Sequence, residues 1–226
     1  MTLARFFDWF QLAALAFWAS VALRRMVGLY RRGVRVVAMD WQRTPGQMAE
    51  DSVTVICFLL WWYELVAYAL PLRVHLPARA LGNVLFGSIA LKLAGVGLTA
   101  AGLVIWGLAL RAFGESWRIG LDRETPGPLA TGGVFGWSRN PLFLSFDLLT
   151  IGVFLIQGRL IFLGLALGLV VMLHRQILRE ERFLAQTYGE AYRAYCTRVK
   201  RYITWLGTSK REGRDPADLA RPGPAL

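Results

Sequence analysis

The sequence predicts an all-α, polytopic membrane protein with about five transmembrane helices, the last two a short helical hairpin, and a C-terminal region at the cytoplasmic face. Three observations predict it. Of 226 residues, 55% are hydrophobic and only 18% charged, and the mean hydropathy is +0.42. The apolar residues gather into five runs, each near the roughly 20 residues that cross about 30 Å of hydrocarbon. The basic residues, all but three of 26 being Arg, cluster between runs rather than inside them. So apolar a composition excludes a disordered chain and strains a soluble one.

The runs are residues 6–23, 53–70, 84–110, 141–156 and 160–173. The first contains Asp8 and Trp9 and shows no small-residue cleavage site, so it reads as a retained helix rather than a signal peptide. The second stops before Pro71. Gln157-Gly158-Arg159 separates the last two runs and reads as a hairpin tip. The fifth run continues as a polar helix toward Tyr188.

Arg24, Arg25, Arg31, Arg32, Arg35 and Arg43 follow the first run, and Arg175, Arg179, Arg182, Arg193, Arg198, Lys200 and Arg201 follow the fifth. The positive-inside bias places both stretches in the cytoplasm. Five crossings then put the N-terminus, Arg73, Arg79 and Arg159 outside, and the C-terminus inside. Topology therefore accounts for most of the +11 charge, and a nucleic-acid partner is not expected. The predicted organisation is three N-terminal membrane segments (1–110), a functional core (111–206) and a disordered tail (207–226).

Cys57 and Cys196 offer neither a disulfide framework nor a CxxC site, and His75 and His174 are too far apart for a helical His pair, so no metal site is expected. Between the third and fourth runs, Gly114, Gly120, Gly127, Gly132, Gly133 and Gly136 with Pro126 and Pro128 exclude a regular helix and describe a loop that lets backbone approach a ligand. Pro141 suits the first turn of a helix, with Ser138 or Asn140 as a side-chain cap and free N–H groups facing a polar or anionic ligand. The plainer reading is a well-capped membrane helix.

Glu180 and Glu181 are either a solvated helix end laced to Arg neighbours or a carboxylate that anchors ribose hydroxyls or an amino group of a cofactor. Tyr188, Tyr192 and Tyr195 share one helical face, as a packing stripe, an aromatic belt or a site. Glu64, Lys92 and Asp147 fall inside apolar runs, where ionisable groups are expensive and default to functional candidates. Lys92 can also snorkel.

The stretch from Leu129 to Phe143, containing Gly132-Gly133, Trp137-Ser138-Arg139-Asn140-Pro141 and Leu142, then an apolar hairpin, then Glu180-Glu181-Arg182-Phe183-Leu184 and Tyr188-Gly189-Glu190-Ala191-Tyr192, resembles the isoprenylcysteine carboxyl methyltransferase family and its phospholipid-methyltransferase relatives. The resemblance covers about residues 111–205. It implies a membrane-embedded methyltransferase that uses S-adenosyl-L-methionine on the cytoplasmic side and methylates a lipophilic or small acceptor reached from the membrane lipids. It assigns the cofactor to Gly127, Pro128, Leu129 and Ala130, to Phe135, to Asn140, Pro141, Leu142 and Phe143, and to Glu180, with Arg139 and Glu181 beside them. The acceptor would meet Arg175 and Gln176. Asn140 stands where the family usually has His, Phe135 and Phe143 where it has Tyr, and Gln176 where the carboxyl methyltransferases have a basic residue. An NADPH-dependent membrane reductase of the sterol or steroid type shares the layout, but such proteins follow the proline with Asn-Tyr and then Gly-Glu, where this chain has Leu142-Phe143-Leu144-Ser145. A membrane scaffold without activity is the non-enzymatic alternative.

Overall fold

The computed structural model describes residues 3–33, 44–70, 72, 82–114 and 128–204. They form five helices: α1 (Leu3–Arg31), α2 (Pro45–Ala69), α3 (Ile89–Phe113), α4 (Pro141–Gln157) and α5 (Leu160–Arg198). Four of these, α1, α2, α3 and α5, are long and apolar enough to cross a membrane, and α4 is a shorter apolar helix of 17 residues. The five runs of the sequence are thus five helices. Their ends differ from those expected, each for a local reason.

α2 starts eight residues earlier than its apolar run. Thr44 and Gln47 form a reciprocal capping box, and Pro45 sits where a missing N–H costs nothing. α3 starts later, because residues 84–88 are extended: Val84 pairs with Arg159, and Leu85 N–H donates to Gly158 O at 2.7 Å. α5 runs 39 residues, well past Tyr188, with a break at Gly189, whose φ of 51° is left-handed and cheap only for glycine. Gly158 caps α4 in the same left-handed region (φ 63°) and lies against Phe86, so the hairpin tip needs both the angle and the missing Cβ.

Contacts at the helix ends show that the helices alternate in direction. At the hairpin end, Gln157 bonds to Gln11, Lys92 lies 5.3 Å from the Phe7 ring centroid, and the Arg159 guanidinium stacks 4.3 Å from the Tyr68 ring centroid. At the other end, Arg25 donates to the Gly114 carbonyl, and Arg175 and Arg179 of α5 pair with Glu50 and Asp51 at the start of α2. α3 and α4 form the most extensive contact in the bundle. Gly95, Thr99 and Gly102 of α3 face Ser145, Leu149, Gly152 and Ile156 of α4, and a Cβ added at Gly95 would sit 2.5 Å from the Gly152 carbonyl. Without a hydrophobic force between helices in lipid, such close backbone approach supplies the dispersion that holds them.

Candidate active site at the polar end of the bundle

Helix length sets the level of the site. Counting from the hairpin tip at 1.5 Å per residue, Pro141 of α4 and Glu180 of α5 stand about 24 and 30 Å away, at the far edge of a hydrocarbon layer about 30 Å thick. The 18 residues of α5 beyond Glu180 run past that level, and the chain then turns back: Arg139 N–H donates to Lys200 O and Thr204 N–H to Trp137 O.

Glu181 is the knot that ties these segments. Its Oε1 accepts from Arg139 (Nη2, 3.0 Å) and Asn140 (Nδ2, 3.0 Å), and its Oε2 from Arg201 (Nη2, 2.8 Å). Burial alone would raise the Glu181 carboxyl, but the hydrogen bonds from Arg201 and Asn140 and the charges of Arg139 and Arg201 outweigh it and hold it below the ordinary range. Both carboxylate oxygens are engaged within the protein. Glu180, next in line, has a different environment: its Oε1 accepts from Gln176 at 3.2 Å, and burial pushes its carboxyl up to about 7, against the opposing Gln176 hydrogen bond and Arg179 charge.

The expected caps of α4 are not made. Asn140 turns its amide to Glu181 and the Arg201 carbonyl, while Ser138 Oγ accepts from Asn140 N–H and donates to Arg201 O, so no side chain caps the first turn. The binding of the Arg201 segment competes successfully for both side chains. The helix start therefore presents its N–H groups uncapped, beside Glu181.

The remaining residues singled out in the sequence fall as follows. Gly127 and most of the Gly-rich loop lie outside the described residues, as does the tail. Pro128 is exposed. Leu129 packs on Tyr192 and Tyr195, and Ala130 and Leu142 pack with Val134 and Phe135. Phe143 is buried against Leu173 and Ile177 of α5. Leu129 to Ala130, Phe135, Arg139 to Phe143 and Glu181 are thus drawn together, while Glu180 bonds to Gln176. Arg175 is not: it points to Glu50 at 2.6 Å. Gln176 joins the group only through Glu180.

Sequence reasoning missed Arg201, which it read only as topological charge, and the return of residues 199–204 that carries it. It also missed the partners of Tyr195, whose hydroxyl donates to Phe135 O at 2.7 Å, and of Tyr202, whose hydroxyl lies 2.6 Å from His174 Nδ1. No local signal marks these, because the partners are 60 and 28 residues apart.

Below the site a narrow cleft opens between α1, α2, α3 and α4. Trp18, Phe58, Trp61, Trp62 and Phe146 line it, with Gln11, Thr99 and Thr150 toward the hairpin end. Trp18 and Phe146 also pack in the cluster that contains Leu142, so the cleft's upper end adjoins the first turn of α4.

A family model described as phospholipid methyltransferase matches residues 91–191. Those residues are similar to the phospholipid methyltransferase family. The match runs from the start of α3 to just beyond the Gly189 break, so it takes in α4, the first turn with Asn140 to Phe143, and both glutamates. It leaves out α1, α2 and the Arg201 segment. No curated protein matches the chain. The family-matching segment therefore lies in the α3–α4–α5 unit, and the two N-terminal helices add most of the cleft's aromatic wall. Among the described residues no group of three His, Cys, Asp or Glu side chains is placed to hold a metal.

Proposed function

We propose that this chain is an integral-membrane, S-adenosyl-L-methionine-dependent methyltransferase acting on a lipophilic acceptor of the phospholipid kind. The observation that carries the reading is the uncapped α4 start, tied through Asn140 to Glu181 next to Glu180 and adjoining an aromatic cleft, inside the segment that matches the family. The donor set suits the cofactor. Uncapped N–H groups attract a carboxylate, Glu180 can accept from hydroxyl or ammonium groups, and the Phe135 and Phe143 rings can face a sulfonium. When bound, the cofactor supplies an already activated methyl group.

The protein's own part is placement. Phe143 and Leu142 form the floor of the cofactor region, and Glu181 with its two arginines fixes the distance between α4 and α5. The acceptor's apolar chain lies in the Trp18–Trp62 cleft, entering between helices, while its reactive head meets the cofactor at the top. Holding the partners in line and excluding water supplies most of the acceleration such a transfer needs. The Arg-rich end of the bundle faces the cytoplasm, where a water-soluble cofactor is available.

The test is ligand stabilisation of the purified protein in detergent or nanodiscs. S-adenosylhomocysteine raises Tm by mass action and NADPH does not. Labelled S-adenosyl-L-methionine binds, and Glu180→Ala or Asn140→Ala abolishes it. Stabilisation by NADPH alone would move the chain to the reductase class, and no response to either would make it a scaffold.

A further inference from the structure

The start of α2 is fastened to α5 immediately beside Glu180. Glu50 and Asp51 lie in the second turn of α2, and Arg175 and Arg179 stand one turn apart on α5. Arg179 gives one terminal nitrogen to each acid, Nη1 to Glu50 Oε2 and Nη2 to Asp51 Oδ1, both at 2.6 Å, and Arg175 Nη2 reaches the other Glu50 oxygen at 2.6 Å. The planar Arg179 fork is thus spread between two carboxylates of another helix. The four side chains are 17% to 63% exposed, a setting in which ion pairs add little to stability. What the arrangement fixes is the direction of Arg179. Glu180 follows it in the chain, and its Oε1 accepts from Gln176 at 3.2 Å, with no other hydrogen bond reaching it among the described residues. A guanidinium not held by α2 has a stem long enough to swing to the neighbouring helical face, and a carboxylate is its strongest partner there. Neither α2 acid lies in the segment that matches the family model, which begins at residue 91.

We infer that Glu50 and Asp51 are positioning residues for the cofactor site: by holding both terminal nitrogens of Arg179 on α2, they keep its guanidinium off Glu180 and leave that carboxylate to the ligand. The inference rests on the reading of Glu180 as a cofactor group and deepens it. Released from α2, Arg179 competes for the same oxygens that a hydroxyl or ammonium group of the ligand would use. The charges around Glu180 are then Arg175 and Arg179 on its own helix, Glu50 and Asp51 on α2, and Arg139 and Arg201, both committed to Glu181. Burial raises the Glu180 carboxyl, the Gln176 hydrogen bond and the Arg179 charge lower it, and Asp51 raises it again, so removing the α2 acids and freeing Arg179 act in the same direction. The same helix carries Phe58, Trp61 and Trp62 of the cleft, so α2 shapes the polar end and the apolar end of the site together.

The test uses the full chain in nanodiscs, with S-adenosylhomocysteine affinity measured as a function of pH. Glu50→Gln combined with Asp51→Asn keeps the size of both side chains. It is expected to weaken binding about fivefold at pH 8, the competition that a partly exposed ion pair exerts. The rise of affinity with pH moves to lower pH in the same variant, because a guanidinium beside Glu180 holds it ionised. Arg179→Gln added to that pair removes the competitor and brings the affinity at pH 8 back to within twofold of wild type. A clamp that merely fastened two helices would gain nothing from losing Arg179 as well, so a triple variant as weak as the double one overturns the inference. Asp51→Asn alone shifts affinity and pH dependence in the same direction by a smaller amount, and it carries the test should the double variant not fold. Wild-type affinity and pH dependence in the acid variants overturn the inference and leave the methyltransferase reading standing; failure of the wild type to bind S-adenosylhomocysteine at all overturns that reading and the inference with it.

Discussion

Removing the Glu181 carboxylate leaves the Arg139 guanidinium, only slightly exposed, without its counter-charge, and frees the Asn140 amide and the Arg201 side chain together. Breaking a buried pair from one side costs more than the pair contributes, about 3 kcal/mol in comparable sites. Glu181→Ala is therefore expected to lower Tm by several degrees and to lose cofactor binding as a consequence of that loosening, read by thermal denaturation in detergent. Because the folded carboxyl lies below its ordinary pKa, this contribution is present above the unfolded value and fades as pH falls through the folded one. Glu180 has the opposite sign. Its folded value of about 7 lies above the ordinary 4.5, so between these limits the folded chain holds the extra proton and stability falls as pH rises. Glu180→Gln removes that slope and leaves Tm at pH 7.5 unchanged or higher, yet weakens S-adenosylhomocysteine at least tenfold. In wild type that affinity rises with pH through about 7, as the carboxylate forms. Nothing in the local sequence separates these two neighbours. Their difference comes from Arg139, Asn140 and Arg201, distant by 42, 41 and 20 residues.

At the level of elements, the five apolar runs were legible because hydrocarbon thickness imposes a length that periodicity need not supply. The helix starts were less so. The first two turns of α2, from Pro45 to Ser52, are too polar to join an apolar run, and only the Thr44–Gln47 capping box marks the boundary. The start of α3 was drawn at Val84 because an extended apolar stretch cannot be told from a helix by hydropathy; its backbone is taken by the hairpin tip instead. The α3–α4 seam was also unread, since Gly95, Thr99 and Gly102 announce nothing until Gly152 is known to face them. It carries a sharp expectation. Gly152→Val would drive a side chain into the Gly95 carbonyl and Thr99 and force the helices apart, whereas Gly97→Val meets open space. Overpacking of this kind costs about 1–3 kcal/mol. Tm and sensitivity to protease, compared between the two variants, decide it: a Gly152→Val protein as stable as Gly97→Val would mean that α3 and α4 do not pack as described.

For the whole molecule, the arrangement puts two unlike environments end to end. The family-matching segment carries the polar site, while α1 and α2 close the aromatic cleft beneath it, where Trp18 lies 4.9 Å from Trp62 and 5.5 Å from Trp106 by ring centroids. In the proposed function, a cofactor from water and an acceptor from the bilayer reach one point from opposite sides. That geometry works only if the polar end faces the compartment holding the cofactor, which is the orientation the Arg distribution favours. Two exposed positions report it. Trp137, 61% exposed, stands at the polar end, and Leu85, 48% exposed, stands at the hairpin end. In a background lacking Cys57 and Cys196, Trp137→Cys is expected to react with a membrane-impermeant maleimide only in inside-out vesicles, and Leu85→Cys only in intact cells or right-side-out vesicles. The reverse pattern would invert the bundle and put the proposed cofactor site on the wrong side of the membrane; labelling of both positions from one side would contradict the alternation of helices itself.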